Sequence, residues 1–582
     1  MSVFSMKKSP EINIKPHPYL PPAAAGMEPT VSQEWERESA TPGERMYARR
    51  HRLLLNLLVP LLLGLMAFGL VLATADRYGL SWDEAYYFDP FVKAGDWAVA
   101  MAAAADKPVS AAAIDSYFDD ISELPAVPKI AFGLCYHFLA PLFGPLNSVR
   151  VLAYVSFALL VALIYLFTRQ YFGPVAGVAA ALLYLFTPRA FGHAHLAATE
   201  SFTALVFFVT LWVYIKGIGR RWRWCVAAGV LLGVALATRV NCLLLPLILL
   251  LWSWLYYKDE SVNNLYAVLF LTPVAMFLSW PWLWPDPLMR LAEYLEFFTK
   301  HEYVATAYLG RIYNQATGPA PWHYPFVMLA VTLPLGHLFI MTMGVGLLMW
   351  KSRRLAVGAL VLVAIGVQLF FAAWPSAPKY DGVRLFFPVL SFLAVAGGVA
   401  FAALCGYTGM IDREVPRIRF VLMSCLLALT LATAAWKMLT LPSALLYFNA
   451  LKSLVAVSLE QPALAFDESY WGETFNDEMI EALDALPPGA RVRTLAMHRK
   501  VPLLLQRWGR LRRDLVFNGP PPYDYHVLQF RPSFFARPEL TLFNYYTPIK
   551  AVSADGLPVM MLYQTGPQFE TLWPKYPDIT RE

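Results

Sequence analysis

The chain has 582 residues, 58% hydrophobic and 15% charged, with a mean hydropathy of +0.47, whereas soluble globular proteins carry about 25% charged residues. Disordered and fibrous classes are excluded, and an ordinary soluble fold is disfavoured; one multispanning membrane body with appended parts fits. The net charge of +6 does not signal nucleic acid, because Lys and Arg fall in short clusters between apolar runs, where membrane topology accounts for them.

Residues 1–50 are polar and rich in proline, with no helical or strand period, and predict a disordered cytoplasmic tail. The run 53–74 is long enough to cross a ~30 Å hydrocarbon core as a helix. Arg45, Arg49, Arg50 and Arg52 ahead of it place the N-terminus in the cytoplasm. Further spans are expected near 148–168, 173–188, 201–217, 224–239, 241–257, 264–283, 324–350, 355–374, 385–405 and 419–440, about eleven with the first. Every second loop is basic, with Lys216 and Arg220, Lys351 and Arg353, then Arg413 and Arg417, which puts the C-terminus outside.

That topology sends the long connections 75–147 and 284–323 to the outer face. The stretch 128–146, interrupted by Pro141 and Pro145, is expected along the interface. Residues 441–582 regain Asp and Glu and predict a soluble extracytoplasmic domain. Its expected order is a helix at 474–486, a strand at 491–497, a helix near 500–510, strands at 513–517 and 524–529, and a hairpin turning at Asp555-Gly556. The fold class is therefore an all-α polytopic bundle over 51–440 with a C-terminal soluble α/β domain. The cysteines form no C-x-x-C pair and predict neither a zinc knuckle nor a disulfide framework.

Polar groups crowd one end of this topology. Asp83 and Glu84 follow the first span, and neighbouring side chains point differently, so they predict separate roles: one facing a cavity, the other holding structure or a cation. A desolvated carboxylate there suits a general base, while the same pair would equally serve a helix N-terminus. His193, His195 and Glu200 occupy the loop 188–200, where they could bind a cation or phosphate, or where Thr199 and Glu200 could cap the next helix. Arg239 lies between two spans, and Lys379 and Arg384 open the tenth. Either basic group would clamp a phosphate, pair with Asp83, Glu84 or Asp381, or contact lipid headgroups.

The order of these residues resembles the GT-C superfamily of polyprenyl-phosphate-sugar-dependent glycosyltransferases, in particular the bacterial family of protein O-mannosyltransferase-like and aminoarabinose-transferase-like enzymes. The resemblance rests on Trp82-Asp83-Glu84, on Phe191-Gly192-His193-Ala194-His195 with Thr199-Glu200, and on Lys379-Tyr380-Asp381-Gly382-Val383-Arg384 with Pro388. It extends to Leu446-Tyr447-Phe448-Asn449 and Tyr470-Trp471-Gly472. It implies Asp83 as catalytic aspartate with Glu84 beside it, and transfer of a sugar from a polyprenyl-phosphate donor to a lipid, protein or glycan acceptor. The expected location is the outer face of a bacterial inner membrane, the C-terminal domain being periplasmic. Some relatives bind a divalent cation near the active site and others do not, so the metal stays open. A transporter would place its polar groups near the midplane and often show repeats; a sensor would use the outer tail alone.

Overall fold

A computed structural model of the chain describes residues 42–103, 106–219, 222–300, 303–351, 355–407, 417–460, 462–566 and 569, with side chains from 57 onward except that of Ala463. Of the expected N-terminal tail, residues 1–41 lie outside the described residues. Residues 42–50 are helical, not irregular, because Pro42 opens helix α1 (Pro42–Ala73) and the Glu, Arg, Met and Ala that follow are good helix formers.

Among the described residues, six helices are long and apolar enough to cross a membrane: Leu57–Arg77, Ala126–Phe172, Glu200–Gly217, Val262–Ser279, Ala356–Ala373 and Arg417–Thr440. Shorter apolar helices, Pro174–Leu185, Trp222–Leu236, Val240–Tyr256, Leu335–Lys351 and Val389–Leu404, fall where the other expected spans lie. At about 1.5 Å per residue, Pro174–Leu185 is shorter than a hydrocarbon core is thick. It is lodged inside the bundle, where small residues bring it against Val389–Leu404: a Cβ at Gly398 would stand 2.3 Å from the Ala176 carbonyl oxygen.

One expected span differs. The span anticipated over 324–350 is two helices, Tyr324–Thr332 and Leu335–Lys351. Pro334 pushes Leu333 into extended backbone (φ −87°, ψ 139°) and breaks the run. The stretch 128–146 is the first limb of the helix Ala126–Phe172, which bends at Gly144 (φ 73°, ψ 172°) between Pro141 and Pro145. That limb packs along α2 (Trp82–Ala103), with Phe91 and Phe132 stacked at 4.9 Å.

The connection 284–323 contains the helix Pro287–Thr299 and a hairpin of β1 (Thr306–Tyr308) with β2 (Arg311–Tyr313), neither anticipated because each is short. Beyond 440, the helix Asp477–Asp484, β3 (Arg491–Leu495), the helix Lys500–Arg507, β4 (Val516–Phe517) and β5 (Tyr525–Gln529) follow the expected order. The helix Arg537–Tyr545 was not anticipated; β6 (Lys550–Ala554) and β7 (Leu557–Gln564) close the chain of strands. The sheet order is β4-β3-β5-β7-β6, parallel through β5 and antiparallel after it, with Val492 opposite Tyr525 and Leu528 opposite Met561. The β6–β7 turn takes Asp555 and Gly556 into positive φ, 48° and 85°, which Asp-Gly tolerates.

One sheet face buries Val492 and Val527 against Met479, Leu483 and Leu504, and this core continues into Leu80, Ala85 and Phe88 at the start of α2. The C-terminal domain is therefore packed on the helix that carries Asp83, through the helix Lys500–Arg507 and Trp508, whose ring meets Phe88 at 4.8 Å. Gly79 is needed at that seam, since a Cβ there would stand 2.0 Å from the Phe475 carbonyl oxygen.

Candidate active site

Glu84 sits three residues after Ser81. Its carboxylate accepts hydrogen bonds from the Ser81 amide (3.0 Å) and hydroxyl (2.9 Å), while the Ser81 hydroxyl accepts from the Glu84 amide (3.4 Å), a reciprocal arrangement that fixes the first turn of α2. The same carboxylate takes two bonds from Arg150, at 2.7 and 2.8 Å, and one from the Ala197 amide at 2.9 Å. Burial favours a proton on Glu84, but the Arg150 guanidinium and these donors outweigh it and hold the carboxyl below its usual range. Every lone pair of Glu84 is thus committed to joining α2, the helix Ala126–Phe172 and the loop 194–199.

With Glu84 fixed, the preceding side chain is turned into a second cluster whose hub is Arg384. Its Nε donates to Glu200 at 2.9 Å, Nη1 to Asp381 at 2.9 Å, and Nη2 to Asp83. Arg239 donates to the same Glu200 oxygen at 2.7 Å and to Thr199. Asp381 accepts from the Trp471 indole (3.1 Å) and from Arg531 (3.2 Å), and the Arg384 guanidinium lies 4.8 Å over the Trp471 ring. Three carboxylates therefore meet three guanidinium groups drawn from five separate stretches of chain. The cluster is closed, with Asp83 7% and Arg384 6% exposed.

Burial pushes Asp83 up to about 6; Arg384 and Arg239 oppose the rise, and Glu200 and Asp381 reinforce it. A carboxylate near 6 is ionised at neutral pH yet basic enough to accept a proton. His193 lies 3.9 Å from Glu200, and neither of its ring nitrogens finds a partner. Burial pushes it down to about 3 against the pull of Glu200, so it is neutral.

The structure brings together Asp83, Glu200, Arg239 and Arg384, with His193 at their edge. Glu84 belongs to the neighbouring Arg150 network. His195 turns away from His193, bonding Thr74 and the Phe191 carbonyl at 2.8 Å each and stacking on Tyr78 at 3.9 Å. Lys379 also turns away, donating to the carbonyls of Trp374 (2.7 Å) and Ala377 (3.0 Å), where it ties off the end of the helix Ala356–Ala373. Arg531 was missed, since nothing in the pattern of the C-terminal domain marks one arginine among many. Arg150 carried a legible signal, a charge inside an apolar run. No group of three or more His, Cys, Asp or Glu side chains suited to a metal occurs among the described residues.

A family model described as dolichyl-phosphate-mannose-protein mannosyltransferase matches residues 134–284. The matched segment contains His193, His195, Glu200 and Arg239 but neither Asp83 nor Arg384. It bears out the resemblance to glycosyltransferases that use lipid-linked sugars. No curated protein matches the chain. Among solved structures, ArnT from Cupriavidus metallidurans bound to undecaprenyl phosphate is 17% identical, with 88% of this chain and 98% of that chain covered and a TM-score of 0.46. Its apo state gives 17%, 90%, 99% and 0.49. The oligosaccharyltransferase AglB from Archaeoglobus fulgidus, in complex with an inhibitory peptide and a dolichol-phosphate, is 11% identical over 81% of this chain and 69% of that one, with a TM-score of 0.42.

Proposed function

We propose that the chain is an integral-membrane glycosyltransferase. In this reading it transfers a sugar from a polyprenyl-phosphate donor to a hydroxyl or amine acceptor on the periplasmic face of a bacterial inner membrane, its N-terminus being cytoplasmic. The observation that carries the reading is the contact of Asp83, from the first connection, with Arg384, 301 residues later in the chain. Together they supply a base and an anion receptor, which is what displacement of a phosphate leaving group needs.

The two groups are coupled, because Asp83 accepts a hydrogen bond from Arg384. A donor phosphate arriving at Arg384 and Arg239 exchanges one anion for another and releases the Asp83 carboxylate. The acceptor oxygen or nitrogen then attacks the anomeric carbon while its proton passes to Asp83. The bond from that carbon to the phosphate oxygen breaks, and its electron pair leaves with the prenyl phosphate, held by the guanidinium groups. Attack opposite a leaving group inverts the anomeric centre. Phosphate leaves without protonation, so no second carboxylic acid is required. Glu200 keeps Arg239 and Arg384 side by side, and neutral His193 adds no competing positive charge.

The testing experiment is transfer of label from a radiolabelled polyprenyl-phosphate sugar by the reconstituted protein to lipid, protein or glycan fractions of a bacterial envelope. The proposal expects label in one of them. Failure in all three contradicts it.

A further inference from the structure

The buried cations of this protein are almost all accounted for. Arg150 is paired with Glu84, Arg239 with Glu200, Arg531 with Asp381, and Arg384 with three carboxylates. Lys129 directs its ammonium at the carbonyls of Phe118, Asp120 and Ile121. Arg189 is the exception. It is 1% exposed and has no ion-pair partner among the described residues. Its Nη1 donates to the Tyr470 hydroxyl at 3.1 Å and its Nη2 reaches the Tyr447 carbonyl at 3.5 Å, while its Nε has no acceptor. Of five N–H donors, most are unspent. The buried Glu473 feels its charge without pairing with it. A buried guanidinium left in this condition is costly unless an anion comes to it.

Two further observations say from where. The guanidinium lies 4.9 Å over the ring of Phe448, and Phe448 with Tyr447 forms the inner wall of a groove of about 440 Å³. The other walls of the groove include Leu335 and Gly336, at the start of one apolar helix, and Leu429, Thr433 and Lys437 on Arg417–Thr440, the Lys437 ammonium being paired with Asp555 at 2.7 Å. Leu429 and Leu335 are exposed, so the groove opens on the face that lipid covers. On its opposite side Arg189 meets the loop of the catalytic cluster: a side chain at Gly382 would stand 3.9 Å from Nη1 and 3.8 Å from the Tyr470 hydroxyl. Gly382 has φ +67° and carries no side chain, and a Cβ there would touch Met328 as well as Tyr470 and Arg189, so Arg189 is within van der Waals reach of the loop that bears Asp381 and, two residues on, Arg384.

We infer that Arg189 is the docking group for the phosphate of a prenyl-phosphate lipid, which enters along the groove past Phe448 and is handed to Arg384 across Gly382. The inference rests on the donor class proposed above and adds a residue and a route to it. Arg189 is a binding residue, and the planar fork of arginine suits two phosphate oxygens at once.

The test uses the full-length protein in lipid nanodiscs with undecaprenyl phosphate as probe, followed by the rise in unfolding temperature and by the phosphorus NMR shift. Arg189→Gln is expected to weaken binding at least tenfold while leaving the unfolding temperature of the lipid-free protein unchanged or higher, since an unpaired charge has been removed. Arg189→Lys, which keeps charge without the fork, is expected to fall between, and it reports binding if the Gln variant does not fold. Wild-type affinity in Arg189→Lys and in a folded Arg189→Gln overturns the inference, as does a loss of binding that only follows a loss of stability. Equal protection of the wild type by phosphatidylglycerol or by inorganic phosphate overturns the prenyl-phosphate assignment. Undecaprenyl phosphate that fails to bind the wild type at all removes the proposed donor itself, a result distinct from failure at Arg189 alone.

Discussion

Glu84 and Asp83 are adjacent, yet they should fail in opposite ways when neutralised. Glu84→Gln leaves Arg150, 1% exposed, without its counter-charge and replaces an acceptor of five hydrogen bonds by a group that accepts with one oxygen only. Removing one partner of a buried ion pair costs about 3–5 kcal/mol. Losing the bonds that start α2 and hold the loop at Ala197 acts in the same direction. Asp83→Asn removes one of three carboxylates around Arg384, which keeps Glu200 and Asp381, so its cost should be small. Unfolding in detergent followed by tryptophan fluorescence would measure both, together with Arg150→Met and the Glu84→Gln/Arg150→Met double variant. The double variant should be less destabilised than the sum of the singles, because no buried charge is left alone. Were Glu84→Gln to unfold like the wild type while losing transfer, Glu84 would be chemical rather than structural, and the division of labour drawn here would be refuted.

The remaining predictions concern titration and Lys379. A base with a pKa of about 6 acts only when deprotonated. With rising pH kcat/KM should therefore climb through pH 6, and its value at pH 5 should be roughly a tenth of that at pH 7; a flat profile from 5 to 7 contradicts Asp83 as base. Lys379→Gln should leave the affinity for undecaprenyl phosphate within about twofold, because the ammonium is spent on the carbonyls of Trp374 and Ala377 rather than on an anion. A tenfold weaker affinity in a binding titration would put Lys379 back in the clamp.

Much of the helical body could be read from the chain, because apolar runs and alternating basic loops are direct consequences of a hydrocarbon solvent. The C-terminal strands were legible from β-branched and aromatic runs and from the Asp555-Gly556 turn. Short elements were not: the hairpin over 306–313 and the helix Arg537–Tyr545 have too few residues to establish a period. At the site, the side of the membrane to which each polar group was assigned brought Asp83, Glu200, Arg239 and Arg384 into one group. It could not resolve direction within that side. Lys379 and Arg384 are five residues apart, but a turn through Asp381 (φ 54°) and Gly382 sends them to different partners. His193 and His195 separate in the same way. Asp381, Trp471 and Arg531 complete the cluster through pairings across 90 and 150 residues, a relation that no local pattern carries.

In the proposed reaction the carboxylate at position 83 takes the acceptor's proton. This step is tested most directly by single-turnover transfer from a labelled polyprenyl-phosphate sugar with Asp83→Asn, in protein first shown to fold and to bind the donor. A variant retaining both properties should move label at least about 10²-fold more slowly than the wild type. Transfer at the wild-type rate by that variant would contradict this role.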